Sequence, residues 1–284
     1  MSYDLFLKFN SDSDIKAAGK LFDRDWYKVG NGQSIYENED TGVYFVIDIE
    51  DKSEDEDPCD WSINVNFNRP SLFIEEVVAE LDALSKHAQF KVMDPQGEFE
   101  DLMQYSSDVL KENYNKSNKW AFSAMRSTAT GAKDENYLDD SILEHTWRWN
   151  YNRKMLGQKY EGNIFVPVYN YCMRNNLVKT FVVWPDCLPV ALPKTDMVIV
   201  VRDKYAPRGF LGIKQKSDMC LVEYGDVESI LKRHSSIGDF DSLLYSLNGP
   251  PADVVKFIKG LAPIEEKINR IAFDSVYNKS YKSA

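Results

Sequence analysis

The stretch that most constrains this chain is Trp61-Ser-Ile-Asn-Val-Asn-Phe67. Trp61, Ile63, Val65 and Phe67 fall on one side, and Ser62, Asn64 and Asn66 fall on the other. Side chains alternate across a strand with a period of two, so the pattern specifies one apolar and one polar sheet face. Such a strand belongs in an antiparallel sheet covered on one side only. Residues 3–9 repeat the pattern with Tyr3, Leu5, Leu7 and Phe9 pointing one way.

Further elements fall into place around these two strands. Asp12-Ser13-Asp14 offers an N-cap for a helix carrying Ile15, Ala18, Leu21 and Phe22. Ser34 to Glu37 and Val43 to Ile49 read as strands joined by the turn Asn38-Glu39-Asp40-Thr41-Gly42. Arg69-Pro70-Ser71 stops the Trp61 strand and caps a helix striped by Phe73, Val77, Leu81 and Leu84. A short strand from Phe90 to Met93 ends at the turn Asp94-Pro95-Gln96-Gly97.

The order β-α-β-β-β-α-β predicts an α+β fold: a mostly antiparallel N-terminal sheet with two helices on one face. Residues 99–157 read as helical, with a break at Ser127-Thr128-Ala129-Thr130-Gly131. A hairpin follows, from Ile164 to Met173 and from Val178 to Trp184, turning at Arg174-Asn175-Asn176. Prolines 185, 189 and 193 lead to the strands Met197 to Val201 and Met219 to Glu223. After Asp226 the pattern is mostly helical to about Phe273, and the residues through Ala284 read as a loose tail. The expected organisation is an acidic α+β domain over residues 1–98. A mixed helix/β-hairpin domain with a helical C-terminus follows over residues 99–284.

The net charge of −11 is unevenly distributed. Residues 1–100 hold 9 Lys/Arg against 23 Asp/Glu, a balance of −14, while residues 101–284 hold 25 against 22, a balance of +3. An acidic field repels phosphate backbones, so binding of nucleic acid through the first third is not expected, and a cationic partner protein is favoured. The densest acids are Asp48, Glu50, Asp51, Glu54, Asp55, Glu56, Asp57 and Asp60, eight in thirteen residues between two strands. They form either a solubilising connector or a docking loop that steers a basic partner. Glu37, Glu39 and Asp40 add charge at the neighbouring hairpin, beside Tyr36, Tyr44 and Phe45. A calcium loop is disfavoured because Cys59 and Asp60 stand where Asp/Asn and Gly should follow Asp57.

Catalytic signatures are missing from the sequence. Gly30-Asn31-Gly32 lacks the third glycine of a dinucleotide loop and fits a hairpin approach better. No phosphate loop, G-x-S-x-G or H-E-x-x-H occurs. His87 and His234 close helices, where a cation complements the dipole. His145, beside Glu144 and Asp140, sits where an exposed helix start carries acids anyway. Trp147-Arg-Trp-Asn-Tyr-Asn-Arg-Lys154 mixes basic and aromatic groups, but on a helix it splits into a core stripe and a solvated stripe. Cys59, Cys172, Cys187 and Cys220 are far apart, and free thiols are expected rather than disulfides or a metal site. No 18-residue apolar window spans a membrane, and the start Met1-Ser-Tyr-Asp-Leu-Phe6 reads as a first strand rather than a leader.

Tyr36-Glu-Asn-Glu-Asp-Thr-Gly-Val-Tyr-Phe45, Asn66-Phe-Asn-Arg-Pro-Ser71 and Val182-Val-Trp-Pro-Asp186 resemble an uncharacterised group of bacterial cytoplasmic proteins. Those proteins look like the immunity proteins encoded beside secreted polymorphic toxins. The resemblance implies a cytoplasmic protein without cofactor, metal or catalytic residues, whose partner is a cognate toxin. It transfers no site residues. The expectation is that an acidic surface blocks a basic toxin's site, with Glu37, Glu39, Asp40, Asp48, Glu50, Asp51, Glu54, Asp55, Glu56, Asp57 and Asp60 as contacts. The alternatives are an enzyme whose site assembles between the two halves, from residues such as His145, Arg153 or Asp186, and a structural or adaptor protein.

Overall fold

The computed structural model describes residues 2–30, 32–49, 59–97, 99–128, 136–207, 218–247, 249–265 and 267–283. The chain has an α+β fold divided into two compact units, residues 1–144 with 273–284 and residues 145–272.

The first unit is built on β1 (Ser2–Phe9), α1 (Asp12–Ala18), β2 (Tyr27–Val29), β3 (Gln33–Asn38), β4 (Val43–Ile49) and β5 (Trp61–Asn66). It continues through α2 (Leu72–Ser85), β6 (Phe90–Asp94), β7 (Phe99–Gln104), α3 (Ser107–Thr128) and β8 (Asn136–Leu138) to the first turn of α4 (Asp140–Lys159). Its sheet has the order β2-β3-β4-β5-β1-β6-β7, antiparallel throughout. The register Tyr3↔Val65, Leu5↔Ile63, Leu7↔Trp61 places the alternating apolar residues of β1 and β5 side by side. They are buried, whereas Asp4, Phe6, Ser62 and Asn64 on the other face are half-buried. Removing those apolar side chains from water is the main driving force here, at roughly 25 cal/mol per Å².

Helix α2 is buried on most of its circumference, at Leu72, Phe73, Ile74, Val77, Val78, Leu81 and Leu84. Leu21, beside α1, meets the same sheet face as Val77, Leu81 and Leu84 of α2. Ser11 caps α1 through its hydroxyl, which accepts from the Asp14 amide at 3.2 Å.

The region expected to be helical from residue 99 begins instead with β7, paired to β6 through a bulge. The first sheet therefore runs past residue 98, and the division between compact units falls within α4. Most of the expected break near Ser127 lies outside the described residues.

The second unit takes the rest of α4 and then β9 (Asn170–Arg174), β10 (Leu177–Pro185), β11 (Val190–Leu192), β12 (Met197–Arg202) and β13 (Asp218–Glu223). After these come α5 (Tyr224–Leu231), β14 (Ser236–Ile237), β15 (Leu243–Tyr245), α6 (Ala252–Gly260) and β16 (Arg270–Ile271). A five-stranded sheet of order β13-β12-β10-β9-β16 and a three-stranded sheet of order β11-β15-β14 result. Among the described residues, only β10 and β12 run parallel within the larger sheet. The core joins Trp149 and Leu156 of α4 to Trp184, Val198, Val200 and Val222 of the sheet and to Val227, Val254 and Ile258 of the later helices.

The hairpin between β9 and β10 turns on Asn175 and Asn176, both at positive φ (51° and 59°). Asparagine tolerates that left-handed conformation, and paired left-handed residues match the twist of the strands they join. The strand expected from Ile164 pairs regularly only from Asn170. Before it, the side chain of Asn150 clamps the backbone of Tyr169, accepting its N–H at 2.9 Å and donating to its carbonyl at 3.3 Å. The expected helical C-terminal stretch resolves into the short helices α5 and α6 with strands between and after them.

The expected loose tail is not loose. β17 (Val276–Asn278) pairs in parallel with β8 in the first unit, and Val276, Asn278 and Tyr281 are buried. The Asn278 side chain accepts from the Ser71 amide and donates to the Ser71 hydroxyl, both at 2.8 Å. Asn118 of α3 donates to the Arg69 carbonyl at 2.7 Å and accepts from the Asn68 amide at 2.7 Å. The Arg69 guanidinium lies over the rings of Tyr44 and Phe73 and donates to the Tyr44 hydroxyl at 2.7 Å. Asn68-Arg69-Pro70-Ser71 is thus the hub on which the chain's end docks.

Candidate interaction surface

The acidic hairpin is formed by β3 and β4. Its turn is set by Asn38, whose side-chain carbonyl accepts from the Asp40 amide at 3.1 Å and whose backbone carbonyl accepts from the Gly42 amide at 2.8 Å. Gly42 is at φ +71°, and a Cβ there would collide with Phe273.

Beneath the hairpin, α2 turns two carboxylates inward, Glu76 and Glu80, both almost fully buried. Glu76 accepts from the Tyr36 hydroxyl at 2.6 Å and from the Asn38 amide at 2.7 Å. Glu80 accepts from Arg24 at 2.6 Å and from the Tyr27 hydroxyl at 3.0 Å. Buried charges persist only when paired or hydrogen-bonded, and these pairings tie β2 and β3 to the helix. The signal was present in the sequence as glutamates on the apolar face of a helix, but their partners lie 38 to 56 residues earlier.

The outward face of the same strands carries charge and apolar surface together. Ile35 is exposed on it and pairs across to Val46, while the exposed Val29 (62%) and Ile49 pair with the buried Ser34 and Trp61 and so belong to the other face, at the sheet's rim. Glu37 is exposed and ion-paired with Lys28 of β2, and that carboxylate raises the Lys28 ammonium above its ordinary range. Glu39 is exposed at the turn, and Asp40 is half-exposed beside it. Asp48 accepts from the Gln33 amide at 2.8 Å. The structure therefore gathers Glu37, Glu39, Asp40 and Asp48 on one hairpin.

Asp60 behaves differently. It is buried at 4% exposure, where its carboxylate accepts from the Phe9 amide at 2.9 Å and lies 3.4 Å from the Lys8 ammonium. The end of β1 needs that acceptor, so Asp60 works inside the fold and does not face a partner. Glu50, Asp51, Glu54, Asp55, Glu56 and Asp57 lie outside the described residues. In the sequence they fall between Ile49, the last residue of β4, and Cys59.

Residues weighed for catalysis have structural partners. The Asp186 carboxylate accepts from the backbone amides of Asp203 and Lys204 at 2.8 and 3.0 Å, which holds a turn whose residues Asp186 and Cys187 are at positive φ. His145 meets Tyr169 edge to face. His234 lies 3.0 Å from Asp253, and the hydrogen bond between them lowers the Asp253 carboxyl below its usual range. Trp147 and Tyr151 meet with ring centres 5.5 Å apart and tilted by 30°, as their spacing on one helix face allows. All four cysteines are free and buried. Burial, and then the Asp186 charge, push the Cys187 thiol up to about 12.

Among the described residues, no three His, Cys, Asp or Glu side chains cluster to hold a metal ion, and no helix is long and apolar enough to cross a membrane. No family model matches the chain, and no match is found among curated proteins or solved structures.

Proposed function

We propose that this chain is a cytoplasmic immunity-type binding protein that neutralises a basic toxin by covering its site. One observation supports the reading above all: Glu37, Glu39, Asp40 and Asp48 share a hairpin with exposed Ile35 and Ile49. Acidic groups steer a cationic partner during approach, and apolar groups among them supply area to bury on contact. Glu76 ties that hairpin to α2 before binding, and Glu80 ties the neighbouring β2, which limits the ordering cost of association. The acidic run from Glu50 to Asp57, which follows β4 in the sequence, adds to this negative charge.

The toxin's chemistry follows from this charge. A protein whose own substrate is a phosphate backbone presents cations around its site, and an acidic surface occupies them in the substrate's place. The test is capture of partners from the native host at low salt, followed by association kinetics of the basic protein recovered. Binding should weaken steeply with added salt. Recovery of no basic protein counts against the proposal.

A further inference from the structure

A cavity of about 440 Å³ lies in the first unit between α3 and the turn that ends β6, lined by Phe67, Gln96, Gly97, Asn113, Ser117 and Trp120. Trp120 is 71% exposed at this cavity, so its indole plays little part in the unit's core. The wall behind is fixed by Asp94, which is fully buried. Asp94 accepts from the Tyr3 hydroxyl, from the Asn113 amide at 2.9 Å and from the Gly97 backbone at 2.9 Å. A Cβ on Gly97 would lie 2.4 Å from both Asn113 and Asp94, so the turn approaches the helix as closely as a glycine permits. Ser117 donates to the Gln96 carbonyl at 3.2 Å, tying turn to helix again.

This wall leaves a specific vacancy in its hydrogen bonding. Asp94 takes one N–H of the Asn113 amide and thereby fixes its orientation. The Asn113 side-chain carbonyl makes no hydrogen bond among the described residues and remains an acceptor on the lining. Aromatic surface comes from Phe67 and Trp120, and the volume lies in the range of small-ligand sites. Lys116 also lines the cavity and is the one charged side chain among its lining residues.

We infer that this cavity binds a planar heteroaromatic ring of purine size, stacked on Trp120 with an N–H edge donating to the Asn113 carbonyl. The site is separate from the acidic hairpin, and the inference stands without the toxin-binding reading. Stacking on an indole is tolerant of ring identity, and the fixed carbonyl selects rings that carry a donor edge.

The test uses saturation-transfer NMR on the full chain with guanosine and adenosine as probes and free ribose as control. Transfer to the purine ring protons is expected, with none to ribose alone. Trp120→Ala should weaken binding by about tenfold or more, which is the usual cost of losing a base–aromatic stack. Its exposed side chain should leave the melting temperature unchanged. Ser117→Phe, which fills the cavity from a half-buried position, should abolish transfer. Absence of transfer from both nucleosides at millimolar concentration, or transfer that survives both substitutions, overturns the inference.

Discussion

The Asn38 side chain donates to the buried carboxylate of Glu76 at 2.7 Å, so the turn of the acidic hairpin is anchored from below by helix α2. The Tyr36 hydroxyl donates to the same oxygen at 2.6 Å. Glu76→Ala leaves two buried donors without this acceptor and should cost about 3 kcal/mol in denaturant unfolding. Glu76→Gln keeps an acceptor oxygen and should cost about 1 kcal/mol. Equal stability of Glu76→Ala and the wild type would show that the clamp does not hold the hairpin.

A second prediction concerns the chain's end. Asn278 exchanges two hydrogen bonds with Ser71, and Val276 and Tyr281 are buried beside it. Asn278→Ala should destabilise the first unit by about 1–2 kcal/mol through the loss of an acceptor for a turn amide. Removal of residues 273–284 should lower the melting temperature far more and open the Asn68–Ser71 turn to proteolysis. A truncated chain that melts with the wild type would contradict the docking.

A third prediction follows from Asp196. Burial raises its carboxyl, but hydrogen bonds from the Thr180 amide and hydroxyl and from Lys179 outweigh that, and the net shift is downward. A depressed folded value contributes stability above the ordinary carboxylate range, and that contribution is lost as pH falls through the folded value. Asp196→Asn should therefore be less stable than the wild type at pH 7 by about 1–2 kcal/mol. The gap should narrow below pH ~4. A gap constant from pH 7 to pH 3, followed by chemical denaturation, would rule out the ionised form as its source.

Cys187 supplies a fourth. With its thiol held up near 12 by burial, the native protein should resist thiol-specific reagents at this position at pH 8. Labelling mapped by mass spectrometry should appear there only under denaturing conditions. The raised value also stabilises the fold below the ordinary thiol range, and this contribution fades as pH rises from about 9 towards 12. Rapid labelling of the native protein would place the thiol at the surface.

Much of the first sheet was legible because its signals are local. Trp61, Ile63 and Val65 alternate cleanly, and the register with β1 matches apolar to apolar residue by residue. The Asn175-Asn176 turn was legible for the same reason. β7 was not: Phe-Glu-Asp-Leu-Met-Gln alternates poorly, and only its neighbour β6 makes it a strand. The docked tail was illegible because β17 finds its partner in β8, far back in the sequence. Arg202 shows the same limit. Its buried guanidinium forks onto Asp218 at 2.6 and 2.7 Å and reaches the carbonyls ending α6, contacts that composition does not reveal. Of the acidic candidates, four lie on one hairpin, whereas Asp60 turned inward because a strand-end amide required it.

The most direct test of the proposed function is the association rate of the captured basic partner, measured against ionic strength. The wild type is compared with a variant carrying Glu54→Lys, Asp55→Lys, Glu56→Lys and Asp57→Lys. Steering by the acidic run predicts that the variant associates about tenfold or more slowly at low salt. Its rate should also depend far less on salt than that of the wild type. Identical association rates and identical salt slopes for the two proteins would contradict the account.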